Sequence, residues 1–207
     1  MIKQKKGIIR ENIKKTLASL LFIFFLCSCV NKQNQILMDE MTLLKSQKII
    51  IPTESLTVYI KDHLKNATIK ENNIQNPEFK FIVYSDSIEC GSCYMNQLTG
   101  WLKYIYYAQE HPDKLGFYFI FSPRVGKLEE VLKSFNEIFF EYPIYVDENR
   151  IFEEQNPTIP KNKRMHCFLL DKDNKVILIG NPIRNKKVES LFFEIIEKST
   201  IDLIGFG

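Results

Sequence analysis

The run LGFYFIF, residues 115–121, contains no charged side chain. A strand with one face in water alternates apolar and polar residues, whereas a near-continuous apolar run is buried on both sides. FKFIVYSD, residues 79–86, is similarly rich in β-branched and aromatic residues. Between the two runs, Met95, Leu98, Leu102 and Ile105 recur at three- and four-residue steps, the spacing of one helix face. Trp101 and Tyr104 widen that face, and Gly100 interrupts it at about 1 kcal/mol relative to Ala. Strands separated by a helix imply parallel pairing, because the chain must cross over between them.

The alternation continues. Leu128, Val131, Leu132, Phe135, Ile138 and Phe139 predict a second helix, and YPIYVD (142–147) a third strand. NPTIP (156–160) reads as loop. MHCFLLD (165–171) and KVILIGNP (175–182) flank the polar turn KDN, which predicts a hairpin. Val188, Leu191, Phe192, Ile195 and Ile196 mark a last helix, and the apolar tail IDLIGFG is expected to pack back. The class is α/β, a mixed and mostly parallel sheet flanked by helices. Upstream, residues 30–45 read as a tether and a short helix, KIIIP (48–52) and SLTVYI (55–60) as short strands, and 61–78 as a connection. The expected division is residues 1–28, 29–78 as tether and N-terminal extension, and 79–207 as the main domain.

The first 28 residues are a separate matter. Lys3, Lys5, Lys6, Arg10, Lys14 and Lys15 precede an apolar stretch from Leu17 to Leu26. That stretch is too short to cross a bilayer, which takes about 20 apolar residues, but it suits the hydrophobic region of a secretory signal. It ends in Leu26-Cys27-Ser28-Cys29. This resembles the bacterial lipobox, which implies cleavage before Cys29 and lipidation of it. The expected location is then the bacterial cell envelope, the domain extracytoplasmic and anchored to the outer or cytoplasmic membrane. The segment holds six basic side chains and one acidic one, so the whole-chain charge of +3 becomes −2 for residues 29–207. Basicity therefore belongs to the signal, and no Lys/Arg run beyond it points to nucleic acid.

Cleavage and lipidation leave Cys90, Cys93 and Cys167. A close pair plus a single cysteine is not a disulfide scaffold for an oxidising compartment. The pair sits in SIECGSCY, residues 87–94, and three readings are open: a redox dithiol, half of a zinc site, or small core residues. Zinc needs four ligands. His166 and Cys167 are adjacent, and so would point to opposite strand faces. No metal or other cofactor is expected. Cys167 reads as a buried small hydrophobe, with a third thiol near the pair as the alternative. By the same alternation Met165 and Cys167 should share a strand face.

A strand running into C-x-x-C at a helix start, within a β-α-β-α-β-β-α frame, resembles thioredoxin-like proteins, in particular membrane-anchored envelope thioredoxins of the TlpA type. FLLDKDNKVILIGNP resembles the family's strand-turn-strand. The resemblance covers about residues 79–200. It implies a thioredoxin-like fold, with Cys90 as nucleophile and Cys93 as resolving thiol. It also implies protein disulfides or dithiols as substrates and a transmembrane thiol shuttle as electron donor. A cysteine at a helix start meets unpaired N–H groups and the positive end of the dipole, which favour thiolate. The chain departs from the family's pattern at three places. Glu89 replaces the usual Trp. Gly-Ser replaces Gly-Pro or Pro-Pro. Met165 stands where the family has a substrate-docking cis-proline, with Pro160 five residues earlier. Glu89 is expected to tune Cys90: about 7 Å away at an effective dielectric near 40, its charge disfavours the thiolate by roughly 1 kcal/mol. The alternative to catalysis is a thioredoxin-like binding module whose 90–93 disulfide is structural.

Lipidation at Cys29 predicts that the mature chain partitions into the detergent phase on phase separation and that Cys29→Ala moves it to the aqueous phase. A Cys29→Ala protein that stays membrane-bound with its signal intact contradicts this.

Overall fold

The computed structural model describes residues 32–61, 68–69, 76–86 and 97–204. Two compact units divide between Thr42 and Leu43. The described part of the first, residues 32–42, is helical; Gln35 donates to Asp39 and the Thr42 hydroxyl to the Met38 carbonyl, each four residues back or ahead.

The second unit is built on a seven-stranded sheet. Its strands are β1 (Thr57–Ile60), β2 (Thr68–Ile69), β3 (Phe79–Ser85), β4 (Leu115–Phe121), β5 (Ile144–Val146), β6 (Cys167–Leu170) and β7 (Val176–Ile179). The helices are α1 (Leu102–Glu110), α2 (Leu128–Glu137), α3 (Ile151–Gln155) and α4 (Lys186–Ile204). Strand order is β2-β1-β5-β4-β3-β6-β7. β3, β4 and β5 run parallel, and β6 and β7 return antiparallel beyond β3. Hence β3, the strand that precedes Cys90 and Cys93 in the chain, lies between β4 and β6, with every residue buried.

Register divides the side chains between two faces. Phe81 lies opposite Phe117 and Leu169, and Val83 opposite Phe119 and Cys167. This face packs against Leu98, Trp101, Ile105, Phe135 and Phe192. Two successive β-α-β crossovers step in one direction across the sheet, which places α1 and α2 on the same side. Trp101 and Phe192 have ring centroids 5.4 and 5.5 Å from Phe81, the range of favourable aromatic pairs.

The opposite face, with Ile82, Tyr84, Phe168 and Leu170 fully or nearly fully buried, is held by a different device. Asn156, 3 % exposed, accepts from the Ile50 N–H and donates to the Ile50 and Phe152 carbonyls at 2.7–2.8 Å. The Ile49 N–H reaches the Asn174 carbonyl at 2.9 Å, and Lys48 bridges Lys175. Residues 48–50 thus run as a strap from the hairpin turn to the end of α3. Phe152, on α3, meets the Tyr84 ring at 5.1 Å.

Several local expectations change. KIIIP makes one isolated bridge and is the strap, not a strand; Pro52, which has no N–H for a ladder, precedes a 3-10 turn at Thr53–Ser55. Part of the 61–78 connection, residues 68–69, pairs with β1. The helix read from Met95 is described only from Leu98: a 3-10 turn over Leu98–Trp101 that contains Gly100, then α1. α2 ends at Glu137, so Ile138 and Phe139 lie beyond it and Phe139 is exposed. The Lys61 ammonium explains the stop: it donates to the Asn136 and Ile138 carbonyls at 2.5 and 2.6 Å, the helix-end groups that lack intrahelical partners. The tail is not a separate element through 204, because α4 continues to Ile204.

The Asn156 hydrogen bonds predict that Asn156→Ala destabilises the unit by about 2–4 kcal/mol, because buried backbone groups of the strap lose their partners. Urea denaturation should show a lower midpoint at unchanged slope. A loss below about 0.5 kcal/mol contradicts the strap's role.

Candidate redox site and adjoining cleft

Cys90, Cys93 and Glu89, like Cys29, lie outside the described residues. Their surroundings do not. The segment 87–96 is joined at one end to Asp86, directly after β3, and at the other to Gln97, directly before the Leu98 turn. Ser122, following β4, and Asp147, following β5, stand at the same edge, since the three strands are parallel. The carboxyl ends of parallel strands are where open α/β sheets place ligands.

The turn before β6 closes this edge from the other side. A 3-10 turn covers Lys163–Met165, where Asn162 accepts from the Arg164 N–H. Lys163 forms an ion pair with Asp86 at 3.5 Å. Met165 is therefore in a turn and not on β6, which begins at Cys167; the two residues do not share a strand face as alternation predicted. Met165 is 2 % exposed. Among the described residues every peptide bond is trans. Cys167 lies opposite Val83 and within the helix-covered core, 6 % exposed. Its carbonyl accepts from the Gly180 N–H at 2.8 Å.

His166 faces the other way. One ring nitrogen, Nε2, lies 2.8 Å from the Pro160 carbonyl oxygen, and the ring packs on Tyr84 at 5.1 Å. With 4 % exposure it is a packed, hydrogen-bonded residue. Tyr84 is the uncompensated member of this group. Its hydroxyl is buried with no well-formed hydrogen bond among the described residues, and burial pushes its pKa up to about 12. Ser122 counters part of that rise through a weak hydrogen bond to Tyr84, while its own hydroxyl donates to Asp147 Oδ2 at 3.4 Å. Asp147 in turn accepts from the Ile151 and Phe152 N–H groups at 2.9 Å and so, from three residues before the Arg150 N-cap, satisfies two donors of the first turn of α3. Sequence reading missed Tyr84, Asp147 and the five-residue helix α3; the Asp147-to-Ile151 spacing was the available signal for these hydrogen bonds.

Between the Lys163–Met165 turn and the loop from β7 to α4 runs a cleft. Gln97, Trp101, Lys163, Arg164, Ile183 and Arg184 are among its described lining residues, and Cys167 also borders it; Met165 does not. Gly180, at φ +129°, forms part of its wall where a Cβ would come within 3.0 Å of Val188. α4 opens there, with Asn185 Oδ1 accepting from the Lys187 and Val188 N–H groups. Glu189, one turn on, is held down to about 2 by hydrogen bonds from Lys186 and Lys103 and by Tyr104. No group of three or more His, Cys, Asp or Glu side chains among the described residues is arranged to hold a metal ion. No described helix is long and apolar enough to cross a membrane.

Removing the Tyr84 hydroxyl removes a polar group with no well-formed hydrogen bond while keeping the ring, so Tyr84→Phe should be neutral or stabilising by up to about 1–2 kcal/mol. A fall of more than about 1 kcal/mol in urea denaturation would show that the hydroxyl is well bonded.

No protein-family profile matches the chain, and no curated protein matches it in sequence. Solved structures similar to it include a thioredoxin-like protein from Bacteroides caccae, at 17% identity and TM-score 0.43 over 70% of this chain and 48% of that one. Another is the C-terminal domain of an uncharacterized protein from Bacteroides fragilis, at 17% identity and TM-score 0.42, covering 70% and 94%. A third is the thioredoxin domain of a thiol-disulfide oxidoreductase from Bacteroides vulgatus, at 14% identity and TM-score 0.40, covering 69% and 99%. The chain spans about half the length of the first of these. With β3, β4 and β5 parallel, the antiparallel hairpin β6-β7 beside β3 and helices packed on the sheet, the second unit has the strand order and directions of a thioredoxin-like fold.

Proposed function

We propose that the chain is a TlpA-type, membrane-anchored thiol–disulfide oxidoreductase that reduces protein disulfides in the bacterial cell envelope. The observation that carries this reading is the place of Cys90-Gly91-Ser92-Cys93 in the chain. The motif begins five residues after Ser85, the last residue of the fully buried inner strand β3, and precedes a helical segment. Cys29 supplies the lipid anchor. No cofactor takes part.

The reaction is a two-step exchange. The Cys90 thiolate attacks one sulfur of the substrate disulfide, and a mixed disulfide forms as the first substrate thiolate leaves and takes up a proton. Cys93, deprotonated, then attacks the Cys90 sulfur. The second substrate thiolate leaves, and the 90–93 disulfide remains. Two electrons pass from the dithiol to the substrate, and a transmembrane thiol shuttle returns two electrons to the pair. Glu89 opposes thiolate formation at Cys90, which weakens the pair as an oxidant and favours the reducing direction.

Met165, buried and outside the cleft lining, favours one second reading: a non-catalytic thioredoxin-like module with a structural 90–93 disulfide. Trapping separates the two. Cys93→Ser should accumulate mixed disulfides with envelope proteins through Cys90, visible on non-reducing gels and lost in Cys90→Ser/Cys93→Ser. A Cys93→Ser protein that traps nothing and whose Cys90 resists alkylation supports the structural reading.

A further inference from the structure

We infer that the cleft beside the dithiol segment selects substrates whose disulfide is flanked by acidic residues, with Arg164 and Arg184 as the specificity-determining side chains. This rests on the oxidoreductase reading and adds to it the chemistry of the partner.

Three cations, Lys163, Arg164 and Arg184, stand among the described lining residues of the cleft, and no carboxylate does. They differ in how far their charge is compensated. Lys163 is paired with Asp86. Arg184 donates to the Gln97 side-chain oxygen, a neutral partner that does not cancel the guanidinium's charge. Arg164 has no ion pair among the described residues, and both arginines are exposed. The nearest carboxylate on α4, Glu189, is taken up by Lys186, Lys103 and Tyr104. The start of α4 adds the positive end of a 19-residue helix at the same place.

The arginines come from two separate segments, the 3-10 turn before β6 and the loop from β7 to α4, and share the cleft lining with the apolar Trp101, Ile183 and Val188. An extended peptide lying along the cleft would meet these apolar side chains and a guanidinium from each of the two segments. Guanidinium groups match carboxylates in geometry as well as in charge. The occupant is therefore a protein segment bearing aspartate or glutamate within a few residues of its cystine.

The test uses the reduced full chain and matched cystine peptides whose flanking residues are Glu, Gln or Lys, with 2,2′-dithiodipyridine as a neutral disulfide. Two exposed pairs of ordinary strength predict that kcat/KM at low salt favours the Glu over the Lys peptide by about three- to tenfold. The preference should shrink as salt screens it. Arg164→Gln/Arg184→Gln should abolish the ratio, Arg164→Lys/Arg184→Lys should keep most of it, and Lys133→Gln/Lys172→Gln, outside the cleft, should leave it unchanged. Taking the ratio of variant to wild type cancels differences in intrinsic peptide reactivity and the shared influence of Glu89. A Cys90-dependent reaction with the neutral disulfide together with a flat peptide ratio, or a ratio the arginine variants do not move, overturns this specificity alone. Absence of any Cys90-dependent reaction with the neutral disulfide overturns the oxidoreductase reading, and this inference falls with it.

Discussion

β3 is the element on which the rest of the unit depends. Its seven residues are buried without exception, one face against helices and the other against the strap and α3. A strand with no polar face has no stable arrangement unless both sides are covered. That requirement accounts for the layout around it. The crossovers β3-α1-β4-α2-β5 cover one side, and α4 returns to the same side, where Phe192 meets Phe81. The other side has no long helix. There the Asn156 amide holds residues 48–50 against the end of α3.

The same constraint sets the edge where the dithiol segment is attached. Because β3, β4 and β5 are parallel, Asp86, Ser122 and Asp147 all emerge together. The polar groups there are largely accounted for: Asp147 satisfies donors of the first turn of α3, and Lys163 meets Asp86. The Tyr84 hydroxyl has no well-formed hydrogen bond among the described residues. Such a group destabilises by about 1–3 kcal/mol, offset here by the aromatic contacts of its ring with Phe152 and His166.

The sheet was legible from residues whose burial leaves no alternative. LGFYFIF and FKFIVYS became β4 and β3 because their patterns fit only a strand covered on both sides. The hairpin around Asp171–Asn174 followed from turn chemistry, and Asn174 does adopt a positive φ. What escaped depends on tertiary partners. KIIIP has strand composition, but Asn156, more than a hundred residues away, decides what it pairs with. Ile138 and Phe139 fit the helical period, but Lys61 caps the helix before them. Met165 was counted onto β6 from strand periodicity, whereas the Asn162 cap sets a 3-10 turn there. Cys90 and Cys93 stand out in the sequence by their spacing but lie outside the described residues, whereas Cys167 was legible as a core residue through its apolar neighbours. Tyr84 carried no signal, since a buried tyrosine in a strand is ordinary until its hydroxyl is found without a well-formed hydrogen bond. The basic cleft was invisible because Arg164 and Arg184 are separated by twenty residues and come to line one cleft only in the fold.

The central claim is that Cys90 and Cys93 form a working dithiol and not a staple. The most direct measurement is the reduction potential of the 90–93 pair in the full chain, obtained by equilibration with dithiothreitol or glutathione buffers and thiol-selective mass labelling. A potential above about −300 mV is the result the account predicts, in the range of exchanging pairs. A potential below that value, with the bond resistant to reduction until the chain unfolds, would contradict it and leave a thioredoxin-like fold that binds without exchanging electrons.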